Sequence, residues 1–278
     1  MQIEGSGRAG VQALAPPWRR VPPSHRWNDL VLPDEALASL RGLAARLDGQ
    51  TGGEPLRALF VGEHGTGKSM AAQVLATEHG APLIELDVAA ALTSGPAGLA
   101  AALWHVIREG ERDGAVLVLD GAGASADPQA HGPGQRIAAS ALRDLLARCA
   151  GYPGLVIFCT TVTARQLAGT QALSAVVHFP FPDASAREQM WRRYLPPGSE
   201  LADEDIEYVA RWFRLPGAAI RATAAAATQA AAAAGQPPRA ADVGEALQRA
   251  YRGALVSEST RTALEELVAR ESGPDASR

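Results

Sequence analysis

The feature that most constrains this chain is a glycine-rich loop set between an apolar run and a helix-forming run. The apolar run, residues 59–61, is typical of a buried parallel strand. The loop fits the pattern G-x-x-x-x-G-K-[ST], which begins at Gly62 and ends at Lys68 and Ser69. Residues 70–78 are rich in alanine and other good helix formers. Strand, loop and helix in this order are the context in which this motif binds phosphate.

The residue types of the loop explain how it would hold a nucleotide. Glycines let the backbone curl so that N–H groups meet phosphate oxygens, and the next helix adds the positive end of its dipole. Lys68 would reach the β- and γ-phosphates, and the Ser69 hydroxyl would bind Mg²⁺. Lys68 is the only lysine among the 26 basic residues of the chain. The predicted loop contacts are Gly62, Glu63, His64, Gly65, Thr66, Gly67, Lys68, Ser69 and Met70.

Composition excludes several other classes of protein. A net charge of −4 gives no general case for nucleic-acid binding, and 47% hydrophobic residues support a globular core. No apolar run is long enough to span a membrane, and the N-terminus has no signal-peptide pattern. Cys149 and Cys159 lie in apolar segments and are expected to be buried thiols. We therefore expect a soluble cytoplasmic protein without nucleic-acid or membrane partners.

Apolar strands alternate with helices through the first two thirds of the chain. This alternation predicts an α/β fold, a P-loop NTPase whose parallel sheet is covered by helices on both faces. Ligands of such sheets bind at the carboxyl ends of the strands, where Lys68, Asp120 and Thr161 fall. The predicted strands are 59–61, 82–87, 115–119, 155–159 and 176–179, and the predicted helices are 35–47, 70–78, 98–112 and 136–149.

The character of the chain changes near residue 183, after which no strand is evident. Four helical stretches follow, at 184–194, 204–213, 217–234 and 240–253, and they predict a small all-α domain. One more helix is predicted at 257–270. We divide the chain into an unstructured tail (1–26), an α/β nucleotide-binding domain (27–183), a helical domain (184–254), and a final helix with a tail (255–278).

This layout resembles the AAA+ ATPases, and in particular those associated with phage-tail-like contractile injection systems. The likeness covers residues 27 to about 252. It is carried by RWNDLVLPDEAL at 26–37, LFVGEHGTGKSMAAQVLA at 59–76, FPFPDASAREQMWRRYLP at 179–196 and LPGAAIR at 215–221. The resemblance implies a helical lid, contact of residues 30–32 with adenine, and a nucleotide contact from Arg221. It also implies a homo- or hetero-oligomeric ring and a protein partner.

The chain departs from the family where the reaction takes place. Similar ATPases end their Walker B strand with Asp-Glu, but this chain has Asp120 followed by Gly121, so the carboxylate that activates water is missing. Thr161 stands where the family has a sensor asparagine, and residues 171–175 contain no arginine finger. The stretch that corresponds to the pore loop, 92–96, has no aromatic residue.

The remaining residues still predict a site for ATP and Mg²⁺, with Ser69 and Asp120 as metal ligands. We therefore expect a nucleotide-dependent scaffold or regulatory subunit whose ATP hydrolysis is weak or lost. One alternative is an active ATPase that uses Glu63, Arg165 or residues of a partner. Another is a phosphotransferase acting on a small acceptor. A third pattern, D-x-x-G at 120–123, fits GTPases, but guanine recognition by N-K-x-D is impossible with one lysine. Asp127 and His131 are interpreted as solvated loop residues.

Overall fold

A computed structural model of the chain describes residues 15–49, 55–122, 135–161, 173–252 and 258–269, with the backbone alone for 135–141. Within these ranges, no helix is both long enough and apolar enough to cross a membrane.

A six-stranded sheet forms the centre of the first part of the chain, in the order β1-β3-β4-β5-β2-β6. All neighbours are parallel except β1, which runs antiparallel to β3, so the sheet is mixed and mostly parallel. The strands are β1 (Trp18–Val21), β2 (Leu56–Gly62), β3 (Leu83–Asp87), β4 (Val116–Asp120), β5 (Leu155–Thr160) and β6 (Ala175–Phe179). The predicted α/β fold is confirmed, with β1 as an unexpected antiparallel edge.

Strand β1 corrects the expectation that residues 1–26 are an unstructured tail. Trp18 pairs with Leu86 and Val21 with Leu83, which places β1 along the edge of the sheet. The Trp18 ring stacks on His105 with 4.5 Å between ring centroids. A four-residue strand that follows two prolines is too short to show a period of two, so pattern alone did not reveal it.

Ten α-helices surround the sheet or follow it in the described ranges, and a short 3-10 helix, Trp27–Asp29, precedes them. They are α1 (Asp34–Asp48), α2 (Lys68–Glu78), α3 (Val88–Leu92), α4 (Gly95–Asp113), α5 (Gln135–Arg148), α6 (Ala184–Tyr194), α7 (Asp203–Trp212), α8 (Gly217–Ala233), α9 (Ala240–Ala250) and α10 (Glu258–Ala269). The short helix α3 was not predicted. The Asp87 carboxylate accepts a hydrogen bond from the Ala90 N–H at 2.8 Å and caps its first turn.

The two faces of the sheet carry separate apolar clusters because successive side chains of a strand point to opposite faces. Phe60 and Val118 pack with helices α1 and α2 on one face, whereas Leu59 and Leu117 pack with α4 and α5 on the other. Cys159 lies in the first cluster and Cys149 in the second, and both thiols are free and buried as expected. This packing fixes the carboxyl ends of β2, β3, β4 and β5 at one edge.

The last five helices, α6 to α10, form a helical domain with its own apolar core. Its largest fully buried side chains are Trp191 and Phe213, and Ile220 and Leu247 also belong to this core. The buried Arg187 side chain donates hydrogen bonds to the Ala210 carbonyl at 2.7 Å and to the Pro182 carbonyl at 2.6 Å. Arg187 therefore fixes the first helix of this domain to the segment that connects it with the sheet.

Candidate functional site

The glycine-rich loop between β2 and α2 has a backbone that requires its glycines. Gly65 and Gly67 have φ angles of +78° and +108°, a region that residues with a Cβ rarely adopt. A Cβ on Gly62 would lie 2.3 Å from the Phe179 carbonyl oxygen of β6, so no side chain fits there. Helix α2 begins at Lys68, and its N-terminus therefore faces the loop.

Lys68 lies across this loop with only 6% of its surface exposed. Its Nζ donates hydrogen bonds to the carbonyl oxygens of Gly62 at 2.8 Å and Glu63 at 2.6 Å. An ammonium group has three donors, so one remains for a ligand. Burial lowers the pKa of Lys68, and its neighbours Cys159, Asp120 and Glu63 act in the opposite direction.

The loop forms one wall of a cavity of about 360 Å³, within the size range of small-molecule sites. The other walls come from the segment before α1, from strands β1, β3 and β4, and from helices α6 and α8. The lining residues are Arg19, His25, Asp29, Leu30, Val31, Leu32, His64, Gly65, Thr66, Gly67, Lys68, Ser69, Met70, Gln73, Glu85, Asp120, Met190, Tyr194, Gly217, Ala218 and Arg221.

Most of the residues predicted for the site meet at this cavity. The loop from His64 to Met70 lines it, as do Asp120, Arg221 and the segment 30–32. Gly62 and Glu63 do not line it and instead offer their carbonyl oxygens to Lys68.

Two residues considered for the chemistry do not line the cavity. Glu63 is exposed, although its charge acts on Lys68, which does line the cavity. Thr161, in the position of the sensor asparagine, is also exposed and absent from the wall. Asp127, His131, Arg165, Gln171 and Ala172 lie outside the described residues.

The helical domain contacts the glycine-rich loop directly at the start of α8. The Ala218 N–H donates a hydrogen bond to the Gly65 carbonyl oxygen at 3.0 Å. A Cβ on Gly65 would lie 3.1 Å from the Ala218 Cβ, so the two segments approach closely. Arg221, one turn further along α8, lines the cavity, and Tyr194 of α6 lies near it. Burial raises the pKa of Tyr194, and the Arg221 charge opposes this shift. The helical domain thus closes one side of the cavity.

The end of β4 has a backbone shape that suits glycine rather than glutamate. Gly121 has a φ angle of +72°, and its N–H donates to its neighbour's carboxylate, Asp120 Oδ1, at 2.9 Å. A Cβ there would meet only the Ala89 nitrogen at 3.9 Å, so space is available. A glutamate at 121 would be strained by its backbone conformation and not by crowding.

The donors at the cavity suit a magnesium ion held mainly by phosphate and water. No group of three or more His, Cys, Asp or Glu side chains that could hold a metal occurs among the described residues. Ser69 and Asp120 supply one hydroxyl and one carboxylate on the cavity wall. Mg²⁺ in nucleotide sites commonly takes one or two protein oxygens and completes its shell with phosphates and waters.

Sequence reasoning missed several residues that line the cavity, among them Arg19, Asp29, Glu85 and Tyr194. Glu85 did carry a signal, because it is a charged residue inside the otherwise apolar run LIEL of β3. Arg19 carried none, since β1 itself was not predicted.

Comparison with known proteins matches both parts of this architecture. A family model of the ATPase family associated with various cellular activities (AAA) matches residues 58–173. A second model, the contractile injection system ATPase helical domain, matches residues 183–269. The crystal structure of the FIGL-1 AAA domain is similar over 90% of each chain, with 17% identity and a TM-score of 0.58. No curated protein matches the chain.

Proposed function

We propose that this protein, which combines an AAA ATPase domain with a contractile injection system ATPase helical domain, binds ATP with Mg²⁺ and hydrolyses it slowly or not at all. The resemblance predicted from the sequence is confirmed by these two family models. We infer ATP binding, the residues that contact ATP and the slow rate of hydrolysis.

One observation carries the proposal of ATP binding. The loop with Lys68 and the helical domain with Arg221 meet at one cavity and are joined by the Ala218–Gly65 hydrogen bond. A ligand that contacts both the loop and the helical domain would stabilise the contact between them. It would bind only the docked arrangement, in which the helical domain rests on the loop. Nucleotide would then act as a structural ligand that holds the helical domain on the loop.

Three features favour slow hydrolysis. Gly121 has no side chain in the place of the family's water-activating glutamate. Thr161 is exposed and lies off the cavity wall. The stretch 171–175 contains no arginine, and an arginine finger contributes several orders of magnitude to turnover in enzymes that use one.

A chain of this kind would serve as a nucleotide-dependent scaffold or regulatory subunit. Oligomeric assembly in a ring, with copies of itself or beside an active AAA+ partner, follows from the family and is part of the proposal. An active remodelling ATPase is the alternative, and it would need a residue other than Glu63, or residues of a partner, because Glu63 does not line the cavity.

The proposal is tested by measuring nucleotide binding and phosphate release on one preparation of the full chain. Anisotropy of a fluorescent ATP analogue gives affinity, and Lys68→Ala serves as the control in both assays. We expect saturable binding and a turnover well below about 1 per second, at the low end of enzyme rates. Absence of binding would contradict the proposal, and so would turnover of about 1 per second that Lys68→Ala abolishes.

A further inference from the structure

Glu85 is a carboxylate on a central strand whose other side chains are almost all apolar. In β3, Leu83, Ile84 and Leu86 are buried, and the Glu85 side chain keeps 13% of its surface exposed. Glu85 pairs with Val118 of β4, and Asp87 pairs with Asp120. Residues two apart on a strand share a face, so Glu85 and Asp120 lie on the same face, with Cα atoms roughly 8 Å apart.

Both carboxylates lie on the wall of the cavity proposed for the nucleotide. Glu85 and Asp120 line the cavity that also contains Lys68 and Ser69. They line a second cavity of about 840 Å³ as well, together with Arg19. These three residues therefore lie on the wall that the two cavities have in common.

Glu85 is held in place from one side only. Arg19 of β1 donates through Nε at 2.8 Å and Nη2 at 2.6 Å, and both hydrogen bonds fall on Oε2. The other oxygen, Oε1, accepts no hydrogen bond from any residue in the described ranges. Arg19 thus fixes the carboxylate and leaves an acceptor that a water molecule can use.

The other carboxylates near the site have different tasks. Asp29 accepts the Arg26 N–H at 2.8 Å and closes the turn before α1. Asp87 caps helix α3 and does not line the nucleotide cavity. Asp120 is the carboxylate expected at Mg²⁺. Glu85 differs from the other carboxylates on the described cavity wall in that Arg19 is its hydrogen-bond partner and its second oxygen stays open.

We propose that Glu85 orients and deprotonates the water that attacks ATP, and that Arg19 is its positioning residue. This inference rests on the proposed ATP binding and accounts for a hydrolysis that is slow but not lost. The water oxygen forms a bond to the γ-phosphorus while the bond between the γ-phosphorus and the β,γ-bridging oxygen breaks. The electron pair of the broken bond stays on that bridging oxygen, which becomes part of ADP. The water proton passes to Glu85 and then to solvent, which yields ADP, phosphate and one proton.

The first test compares Glu85→Gln with Glu109→Gln in the full chain. Glu109 is a matched control, because it pairs with Arg20 of the same strand β1 and lines neither cavity. We expect Glu85→Gln to lower kcat at least about tenfold, as loss of a general base does, and to leave ATP affinity within about threefold. Glu109→Gln should change neither quantity.

A second pair of variants tests the role of Arg19. Arg19→Ala should lower kcat by a larger factor than it lowers ATP affinity, and Arg19→Lys should restore part of kcat. Arg20→Ala, on the same strand, should leave kcat unchanged. Equal effects of Arg19→Ala and Arg20→Ala on kcat would show that β1 acts only through stability.

The outcomes separate this inference from the proposed function. Failure of the unmodified chain to bind ATP contradicts the proposed function. Binding with equal kcat in Glu85→Gln, or with no turnover above the Lys68→Ala background, overturns the inference alone. If Glu85→Gln does not fold, Glu85→Asp is the substitute, because it keeps the negative charge on a side chain one methylene shorter. An unchanged kcat in Glu85→Asp would also overturn the inference that Glu85 is the base.

Discussion

At the scale of single residues, Gly65 is the point where the phosphate loop and the helical domain meet. Its carbonyl accepts the Ala218 N–H, its φ angle is +78°, and a Cβ would lie 3.1 Å from the Ala218 Cβ. Gly65→Ala should therefore lower the free energy of unfolding by about 1–2 kcal/mol, because a left-handed conformation is costly for a residue with a Cβ. The same variant should weaken ATP binding, since the helical domain could not dock fully.

Gly42→Ala is the matched control for this substitution. Gly42 lies in helix α1, is exposed, and has no atom within 4 Å of the position that a Cβ would take. That variant should raise the free energy of unfolding by about 0.5–1 kcal/mol, as alanine does in a helix interior. Urea denaturation of both variants provides the comparison, and equal effects would contradict the backbone strain described for Gly65.

Arg221 is the cation that the helical domain brings to the cavity. Arg221→Ala should weaken ATP binding at least about tenfold, because it removes a charge-assisted hydrogen bond to phosphate. Its effect on the affinity for ADP or adenosine should be smaller if Arg221 contacts the terminal phosphate.

Titration with each of these ligands measures the affinities. The control is Arg249→Ala, because Arg249 is an exposed residue of helix α9 that does not line the cavity. Unchanged ATP affinity in Arg221→Ala would show that this side chain does not contact the ligand.

At the scale of elements, strand β1 contributes through Trp18 more than through its surface ion pairs. Trp18 is half-buried and stacks on His105, whereas Arg20 forms solvent-exposed pairs with Glu109 and Asp113. Trp18→Ala should lower the free energy of unfolding by about 1–3 kcal/mol through lost packing. Arg20→Ala should have a much smaller effect that weakens further at high salt. Chemical denaturation at two salt concentrations tests this, and a larger loss from Arg20→Ala would contradict it.

The elements that the sequence predicted well are those with a long or strongly apolar pattern. Helix α6 was predicted at 184–194 and found at Ala184–Tyr194, and strand β3 was predicted at 82–87 and found at Leu83–Asp87. Two short elements were missed for different reasons. Strand β1 depends on a tertiary contact, its pairing with β3. Helix α3 is stabilised locally by the Asp87 cap, but its five residues are too few to show a helical period.

The candidate site was predictable only where its residues are contiguous or follow a strand. The phosphate loop is one stretch of sequence, and Asp120 follows directly from the apolar run of β4. Arg19 and Glu85 are 66 residues apart and meet only because β1 pairs with β3. No local pattern in the chain indicates a contact of that kind.

At the scale of the whole molecule, the sheet and the helical domain are joined at the wall of the nucleotide cavity. Because α8 contacts the loop closely, the proposed ATP would bind the arrangement in which the helical domain rests on the loop. At a concentration one hundred times its Kd, such a ligand stabilises the folded chain by about 2.7 kcal/mol. We therefore expect ATP with Mg²⁺ to raise Tm by roughly 5 °C.

This shift in Tm should depend on the phosphate loop and be measurable by calorimetric or fluorescence melting. Lys68→Ala should gain little in Tm when ATP is added, whatever its Tm without nucleotide, because a charged donor to the phosphates is removed. An equal ATP-induced shift in both chains would mean that nucleotide stabilises the protein from another site.

The most direct test of the central claim is a calorimetric titration of the full chain with ATP and Mg²⁺, repeated with Lys68→Ala. We predict saturable binding to one site per chain, and an affinity at least about tenfold lower in the variant, because a charged donor to the phosphates is removed. Absence of saturable binding, or equal affinity in both proteins, would show that this loop does not hold a nucleotide.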